Sequence, residues 1–302
     1  MKYAYFGGKI VPFEQAKVSV MTHALNYGTG IFEGIRAYYN PTTQQLNVLF
    51  LKEHYRRLLN NSKMLFMKID ETVEQLCDIT VELLRKENYS EDVYIRPLLY
   101  KATPKIGISL KGVEDAITIF ASPMGDYLDT QKGIRVTISS WRRIEDNAGP
   151  ARAKMTGTYV GPALAKTEAI MNGYDEALVL TEAGHVCEGS AENLFIVRDN
   201  VIYTPPVYEN ILEGVTRKAI ISLLQDELKL TVVERPIDRT ELYICDEIFL
   251  TGTGAQVSSV TEVDHRLVGS GQIGAITAKL SKLYFDAVRG NNPKYQSWLT
   301  RI

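Results

Sequence analysis

Apolar and polar positions alternate through "YAYF" (residues 3–6) and "KIVPF" (9–13), with Gly7 and Gly8 between them, so a β-hairpin is predicted there. A second hairpin is predicted from "FEGIRAYY" (32–39) and "LNVLFL" (46–51) about the turn "NPTTQQ". The period then lengthens. "KEHYRRLLNNSKMLFM" (52–67) and "ETVEQLCDITVELLRKEN" (71–88) repeat apolar residues at helical intervals, whereas "DVYIRPLLYKA" (92–102) and "AITIFAS" (116–122) return to strand. Proline, glycine and charge gather in "PMGDYLDTQKGIR", which reads as a connection. The expected division is a small domain over 1–122, an interdomain loop over 123–134 and a large domain over 135–302. In the latter, strands are predicted at "VTISSW", "EALVLT", "NLFIV", "LTVVE" and "EIFLT", and helices near 161–172, 214–228 and 273–289. Strands and helices are grouped without strict alternation, which is an α+β pattern. The tail "GNNPKYQSWLTRI" carries no period and reads as a cover for a core edge or interface, or as a frayed end.

Composition narrows this picture. A chain of 302 residues can hold two cores. A formal net charge of -2 carries no footprint for nucleic acid or an anionic membrane. No apolar run reaches a membrane span, the first residues lack the apolar stretch of a signal peptide, and the cytoplasm is the expected compartment. Cys77, Cys187 and Cys245 are odd in number and far apart, so they read as buried reduced thiols. His23, His54, His185 and His265 show no paired ligand spacing, and no metal site is expected.

Five stretches could carry chemistry. Lys154 stands in "ARAKMTGTYVG", where small neighbours (Ala153, Thr156, Gly157) would let a flat ring approach the backbone and a partly desolvated amine could attack a carbonyl. A half-buried lysine paired with an acid explains the stretch as well. In "CEGSAENLFIV" (187–197), Glu188 and Glu192 flank small residues; a carboxylate there could stabilise a protonated ring nitrogen, or the segment could be a polar turn feeding a strand, with Asn193 a turn residue. "LEGVTRKAIISLL" (212–224) offers free backbone N–H groups and the Thr216 hydroxyl at a helix start, suited to an anion or to simple capping. "LTGTGAQV" (250–257) is a second glycine-rich turn, and neither turn matches a nucleotide fingerprint. Arg96, inside the apolar "YIRPLLY", either meets an anion or faces solvent from an edge strand.

Taken together, "HALNYGTGIFEGIRAYY", "YIRPLLY", "AKMTGTYVGPALAKTEA", "GYDEALVLT", "EGSAENLFIV", "LEGVTRKAII" and "DEIFLTGTGAQV" closely resemble the branched-chain amino acid aminotransferases, in family order from about residue 3 to residue 289. The resemblance implies the two-domain class IV fold, like that of D-amino-acid aminotransferases, with pyridoxal 5'-phosphate as cofactor. It implies transamination between leucine, isoleucine or valine and 2-oxoglutarate, and a homodimer or higher homo-oligomer. D-amino-acid and (R)-amine transaminases share the fold and are the alternatives. By the same resemblance Lys154 is the Schiff-base lysine, Glu188 is the acid at the pyridine nitrogen, Asn193 binds the cofactor, and Tyr159 contacts the phenolic oxygen. Arg57, Val215, Thr216 and Thr253 hold the phosphate. The turn at 252–254, with Thr253 and Gly254, receives the substrate α-carboxylate. Phe32, Gly34, Tyr94, Arg96 and Tyr127, with Tyr27 from the neighbouring subunit, surround the substrate side chain. One departure is Met124, where relatives often carry tryptophan; a more flexible side chain there implies a wider pocket that admits primary amines.

Overall fold

The computed structural model describes residues 1–125, 128 and 132–302, and in it the chain divides into two units. The first comprises Met1–Gly125, Ala153–Gly157 and Ala287–Ile302. Its elements are β1 (Tyr3–Phe6), β2 (Lys9–Pro12), α1 (His23–Tyr27), β3 (Gly30–Phe32), β4 (Ile35–Asn40), β5 (Gln45–Leu49), α2 (Leu51–Ser62), α3 (Val73–Glu87), β6 (Val93–Lys101) and β7 (Asp115–Pro123). The second comprises Asp126–Arg152 and Thr158–Asp286. It contains β8 (Ile134–Arg142), α4 (Val160–Met171), β9 (Glu176–Leu180), β10 (Val186–Gly189), β11 (Asn193–Arg198), β12 (Val201–Thr204), α5 (Val215–Asp226), β13 (Val232–Glu234), β14 (Glu247–Gly252), β15 (Gln256–Val263) and β16 (Arg266–Leu267). α6 (Ala275–Val288) precedes the last strand, β17 (Leu299–Arg301).

Among the described residues the first unit forms an eight-stranded sheet in the order β17-β5-β4-β6-β7-β1-β2, with β3 also on β6. Its core lies where α2 and α3 bring Leu51, Tyr55, Leu58, Leu76 and Leu83 against Ile35, Ile95, Leu99 and Ile119 of the sheet. α3 holds its ends with short-range chemistry. Thr72 and Gln75 form a capping box at the start, and Asn88 takes the left-handed conformation at the close.

β6 is an interior strand despite containing Pro97. One edge pairs with β7 throughout; the other pairs with β4 up to Ile95 and with β3 from Leu98. Pro97 falls at the break, where its carbonyl accepts from the Glu33 N–H at 3.0 Å and no donor is required of it. The stretch "FEGIRAYY" is accordingly not one strand but two, parted at Glu33 and Gly34. Residues 93, 95, 97 and 99 of β6 are buried, whereas Tyr94, Arg96 and Leu98 are half-buried on the other face.

The second unit forms a nine-stranded sheet among the described residues, β10-β9-β8-β15-β14-β11-β12-β13, with β16 beside β15. β8 runs parallel to both β9 and β15. Leu178, Leu180, Leu194, Ile196, Ile248, Leu250 and Val260 share its core. β10, β12, β16 and β17 had no signal strong enough to be expected from sequence.

Two segments expected in the second domain belong to the first unit. β17 pairs antiparallel with β5, the Trp298 carbonyl accepts from Phe50 N–H at 2.7 Å, and Arg289 reaches Asp92 at 2.5 Å. The tail thus completes a sheet begun some 250 residues earlier, as Asn40 and Arg289 illustrate with |i−j| of 249. Residues 153–157, which carry the candidate lysine, are the other segment. Among the described residues no helix is long and apolar enough to cross a membrane, and no group of His, Cys, Asp and Glu could hold a metal ion.

Candidate active site

In the first unit the candidate lysine is held by its backbone. The Lys154 carbonyl accepts from Phe32 N–H at 2.9 Å, Met155 bridges to Ile31, and Gly157 N–H donates to the Gly28 carbonyl at 3.0 Å. Thr156 Oγ1 donates to the Gly28 carbonyl at 2.8 Å and accepts from Gly30 N–H at 3.1 Å. Gly28 has a positive φ of 65°, and a Cβ on it would run into Gly157 Cα. The small residues after Lys154 therefore serve a close backbone approach to residues 28–30. This packing accounts for Thr156 and Gly157.

Around Lys154 lies a cluster of aromatic and charged side chains. Its ammonium is 5.8 Å from the centre of the Phe32 ring. On the same ring, at 4.5 Å, lies the Arg96 guanidinium, which also sits 5.1 Å over Tyr94 and donates from Nη2 to the Tyr94 hydroxyl at 3.0 Å. Arg96 Nε is buried with no hydrogen-bond partner among the described residues. The Tyr94 hydroxyl lies over Gly34, so close that any Cβ on residue 34 would collide with it. Phe32, Gly34, Tyr94 and Arg96 are therefore brought together, and the edge-strand alternative for Arg96 falls because β6 is interior.

Arg57, expected to meet phosphate, is gripped by an acid absent from that expectation. Glu33 accepts from Arg57 Nε and Nη2, each at 2.7 Å, and from His54 Nδ1 at 2.8 Å. Burial by itself would raise the Glu33 carboxyl, but Arg57 and His54 override it and hold it at about 2. Burial pushes His54 below its ordinary value; Glu33 opposes this, while the charges of Arg57 and Lys154 act in the same direction as burial. A signal for this network existed: His54 and Arg57 sit three apart on α2, and His54 interrupts its buried apolar face of Leu51, Tyr55 and Leu58.

Glu33→Gln is expected to destabilise the protein by about 3–5 kcal/mol at pH 7, since it removes one partner of a buried ion pair. At pH values above the ordinary carboxyl value of 4.5 the contribution of Glu33 is complete. Below it the unfolded chain takes up a proton that the folded chain refuses until about pH 2, so the contribution drains away on acidification. Denaturant titrations at pH 7 and pH 3 should show the wild-type advantage shrinking by about 2 kcal/mol. An advantage that does not change would mean that Glu33 takes up its proton at the same pH in the folded and the unfolded chain.

Tyr27, at the end of α1, accepts from Gly107 N–H at 2.9 Å and lies 4.7 Å from the His23 ring. Met124 is half-buried, its N–H donating to the Asp92 carbonyl at 3.0 Å. Tyr127 lies outside the described residues.

The second unit gathers an acid and two anion-ready turns. Glu188 is on β10, not in a turn, and is 3% exposed. Its Oε2 accepts from Asn193 Nδ2 at 3.1 Å and Leu212 N–H at 3.0 Å, and Arg143 approaches Oε1 to 3.1 Å. Asn193 opens β11 and donates also to the Leu212 carbonyl at 2.9 Å. Its Oδ1 fills the space where a Cβ on residue 214 would lie, which makes Gly214 obligatory. Glu192 has a different fate: its carboxylate turns back onto Ala191 N–H at 3.0 Å and closes the turn between β10 and β11. Burial opposes the charge of Arg143, but Glu188, with smaller help from Cys187 and Tyr159, raises the guanidinium above its ordinary value.

α5 begins at Gly214 with no side-chain cap, in contrast to α6, whose first N–H groups are taken by Glu247 at 2.8–3.0 Å. Val215 and Thr216 occupy that uncapped turn, and Thr216 is buried. α5 packs on β14, which ends in the turn carrying Thr253 and Gly254. Thr251 Oγ1, at the end of β14, is buried with no hydrogen-bond partner among the described residues. An uncapped helix start and an orphaned buried hydroxyl are what an anion such as phosphate requires. Glu188 has the burial and charge to hold a cationic ring N–H.

Residues 30–263 match the family model for amino-transferase class IV. A probable branched-chain-amino-acid aminotransferase of Aquifex aeolicus is 53% identical over 302 residues, covering 100% of this chain and 97% of the relative. The fold is similar to the crystal structure of a branched-chain aminotransferase from the thermophilic archaeon Thermoproteus uzoniensis with norvaline, at TM-score 0.95 and 41% identity over 99% of this chain and 98% of that one. It is similar also to the crystal structure of the branched-chain amino acid aminotransferase from Thermobaculum terrenum in its PLP-form, at TM-score 0.95 and 35% identity over 99% and 98% of the two chains.

Proposed function

We propose a division of labour among the residues of this chain, which belongs to the class IV aminotransferases and within them to the branched-chain-amino-acid aminotransferases. The reaction is pyridoxal-phosphate-dependent transamination between leucine, isoleucine or valine and 2-oxoglutarate. The cofactor supplies, when bound, an aldehyde that takes the amino group and a ring that spreads the electron pair left by a departing α-proton. Lys154 carries the amine that bonds that aldehyde and moves the proton at the substrate Cα. Glu188, steadied by Asn193, keeps the ring nitrogen protonated, and Tyr159 donates to the phenolic oxygen. Val215, Thr216, Thr253 and Arg57 hold the phosphate, Glu33 having already fixed two of the three Arg57 nitrogens. Thr253 and Gly254 take the α-carboxylate; Phe32, Gly34, Tyr94, Arg96 and Tyr127 receive the side chain.

The observation that carries this reading is Glu188: a buried carboxylate bound by neutral donors and an arginine, on a strand beside an uncapped helix start. A donor panel tests it. L-Leucine, L-isoleucine and L-valine should each convert the purified enzyme's absorbance within a single turnover, and D-alanine or an (R)-arylamine should do so at least about a hundredfold more slowly. An (R)-amine or D-alanine that outpaces leucine would overturn the substrate assignment.

The enzyme acts as a homo-oligomer in which Tyr27 is delivered to the site of a second copy. Support comes from the apolar side chains exposed around it: Val18, Val20, Met21 and Leu25 before Tyr27, and Ile106 and Ile108 beside its Gly107 partner. Leu25→Glu should shift the sedimentation of the protein toward monomer and lower its turnover; an unchanged oligomer would remove this face from the interface. Cys77, Cys187 and Cys245 are free thiols, which suits the reducing cytoplasm proposed for this chain.

A further inference from the structure

Arg143 follows β8 and has no role in the assignments above. Its guanidinium nevertheless joins three segments of the second unit. Nη2 lies 3.1 Å from Glu188 Oε1 and donates to the Ala151 carbonyl at 2.9 Å, while Nε donates to the Asn210 carbonyl at 2.9 Å. Asn210 is held in turn by Glu145 at 2.8 Å, and two residues beyond it the Leu212 N–H completes the grip on Glu188. The adjacent Arg142 is exposed, so one arginine of the pair is committed to the interior and the other is not.

The chemistry makes this more than a brace. Of the donors to Glu188 named here, Asn193 and Leu212 are neutral and Arg143 is charged. A carboxyl group that is 3% exposed is driven by its surroundings toward the protonated form. Protonated, it no longer presents a charge to a ring N–H. Two neutral donors offset part of that drive; a guanidinium at 3.1 Å with a bond to each of two backbone carbonyls offsets much more. The carbonyl bonds also fix where Nη2 sits, and with it the orientation of Oε1.

We propose that Arg143 is a positioning residue for the reaction: acting through Glu188, it holds that carboxylate ionised and aimed, so that the ring nitrogen of the bound cofactor keeps its proton. The proposal rests on the reading that Glu188 meets the ring nitrogen, and the test separates the two.

The measurement is a binding preference. Cofactor-free protein is titrated with pyridoxal 5'-phosphate and with the analogue whose ring nitrogen is replaced by carbon, and the ratio of the two dissociation constants is taken. Loss of folding quality weakens both ligands alike and cancels in the ratio. Wild type should favour the nitrogen ring, and Glu188→Gln should bring the ratio close to one. Arg143→Gln should lower the wild-type ratio by about tenfold or more, the effect of losing a charge-assisted partner of a buried carboxylate. Arg143→Lys restores the charge without the fork and should fall between the two. If Arg143→Gln cannot be recovered folded, Arg143→Lys decides alone, with a fall of about threefold or more expected because a lysine cannot reach Glu188, Ala151 and Asn210 together. A wild-type ratio in the arginine variants, with Glu188→Gln collapsed, overturns the role of Arg143 and leaves that of Glu188 standing. A ratio unmoved by Glu188→Gln overturns both.

Discussion

Replacing Lys154 by alanine lowers turnover of leucine with 2-oxoglutarate by about five orders of magnitude or more, as removal of a covalent catalyst does. The fold is expected to survive, for a structural reason. The backbone of Lys154 and the residues after it are held by bonds that an alanine keeps: the carbonyl on Phe32 N–H, Met155 on Ile31, Thr156 and Gly157 on residues 28 and 30. None of these bonds uses the side-chain amine. Circular dichroism and thermal unfolding should therefore match the wild-type protein closely. Borohydride reduction of the wild-type holoenzyme should attach the cofactor to the peptide containing Lys154, and a small exogenous amine should return part of the activity of the alanine variant. Label recovered on another lysine would remove Lys154 from its assigned place.

The second large effect is selective. Leucine and glutamate present the same α-carboxylate but side chains that differ by a full charge, and burying the γ-carboxylate unpaired would be prohibitive. Arg96 is suited to meet it. The guanidinium is stacked over Phe32 and Tyr94, which fixes its plane, and its buried Nε has no hydrogen-bond partner among the described residues. The ring faces of Phe32 and Tyr94 offer leucine apolar surface in the same place. Arg96→Leu should cost glutamate and 2-oxoglutarate about 2–5 kcal/mol of transition-state stabilisation and leave the leucine half-reaction much less affected. Stopped-flow measurement of each half-reaction checks this. Equal losses would mean that Arg96 supports the common α-carboxylate or the fold.

Several features of the site were legible because their signal is local. Lys154, Glu188 with Asn193, and the helix start at Val215 and Thr216 each stand in a short stretch whose residue types can be read together. Other features lie in pairs that no window can contain. Glu33 meets His54 and Arg57 across 21 and 24 residues, so the break that His54 makes in the apolar face of α2 gains a partner only once β3, β4 and α2 are packed. Arg143 follows β8 and Glu188 is on β10, and in the sequence Arg143 is indistinguishable from the exposed Arg142. Glu188 and Glu192 looked alike as two acids in one stretch; backbone geometry separated them, one pointed at Arg143 and the other folded onto its own turn.

By itself, the sequence determined the helical and strand periods of most elements and the α+β class, and it marked the candidate amine and the candidate acid, because propensity, periodicity and chemical type act over a few residues. The tertiary structure decided which segments share a unit, and why. The tail from Ala287 and the lysine segment at 153–157 joined the first unit through β17 on β5 and through residues 153–157 on residues 28–32, pairings governed by hydrogen bonds and close packing between residues far apart in the chain. It decided also that Gly28 and Gly157 face each other, that Pro97 sits where two strands part, and that Glu33 holds Arg57. Each depends on a partner whose position exists only once the chain has folded.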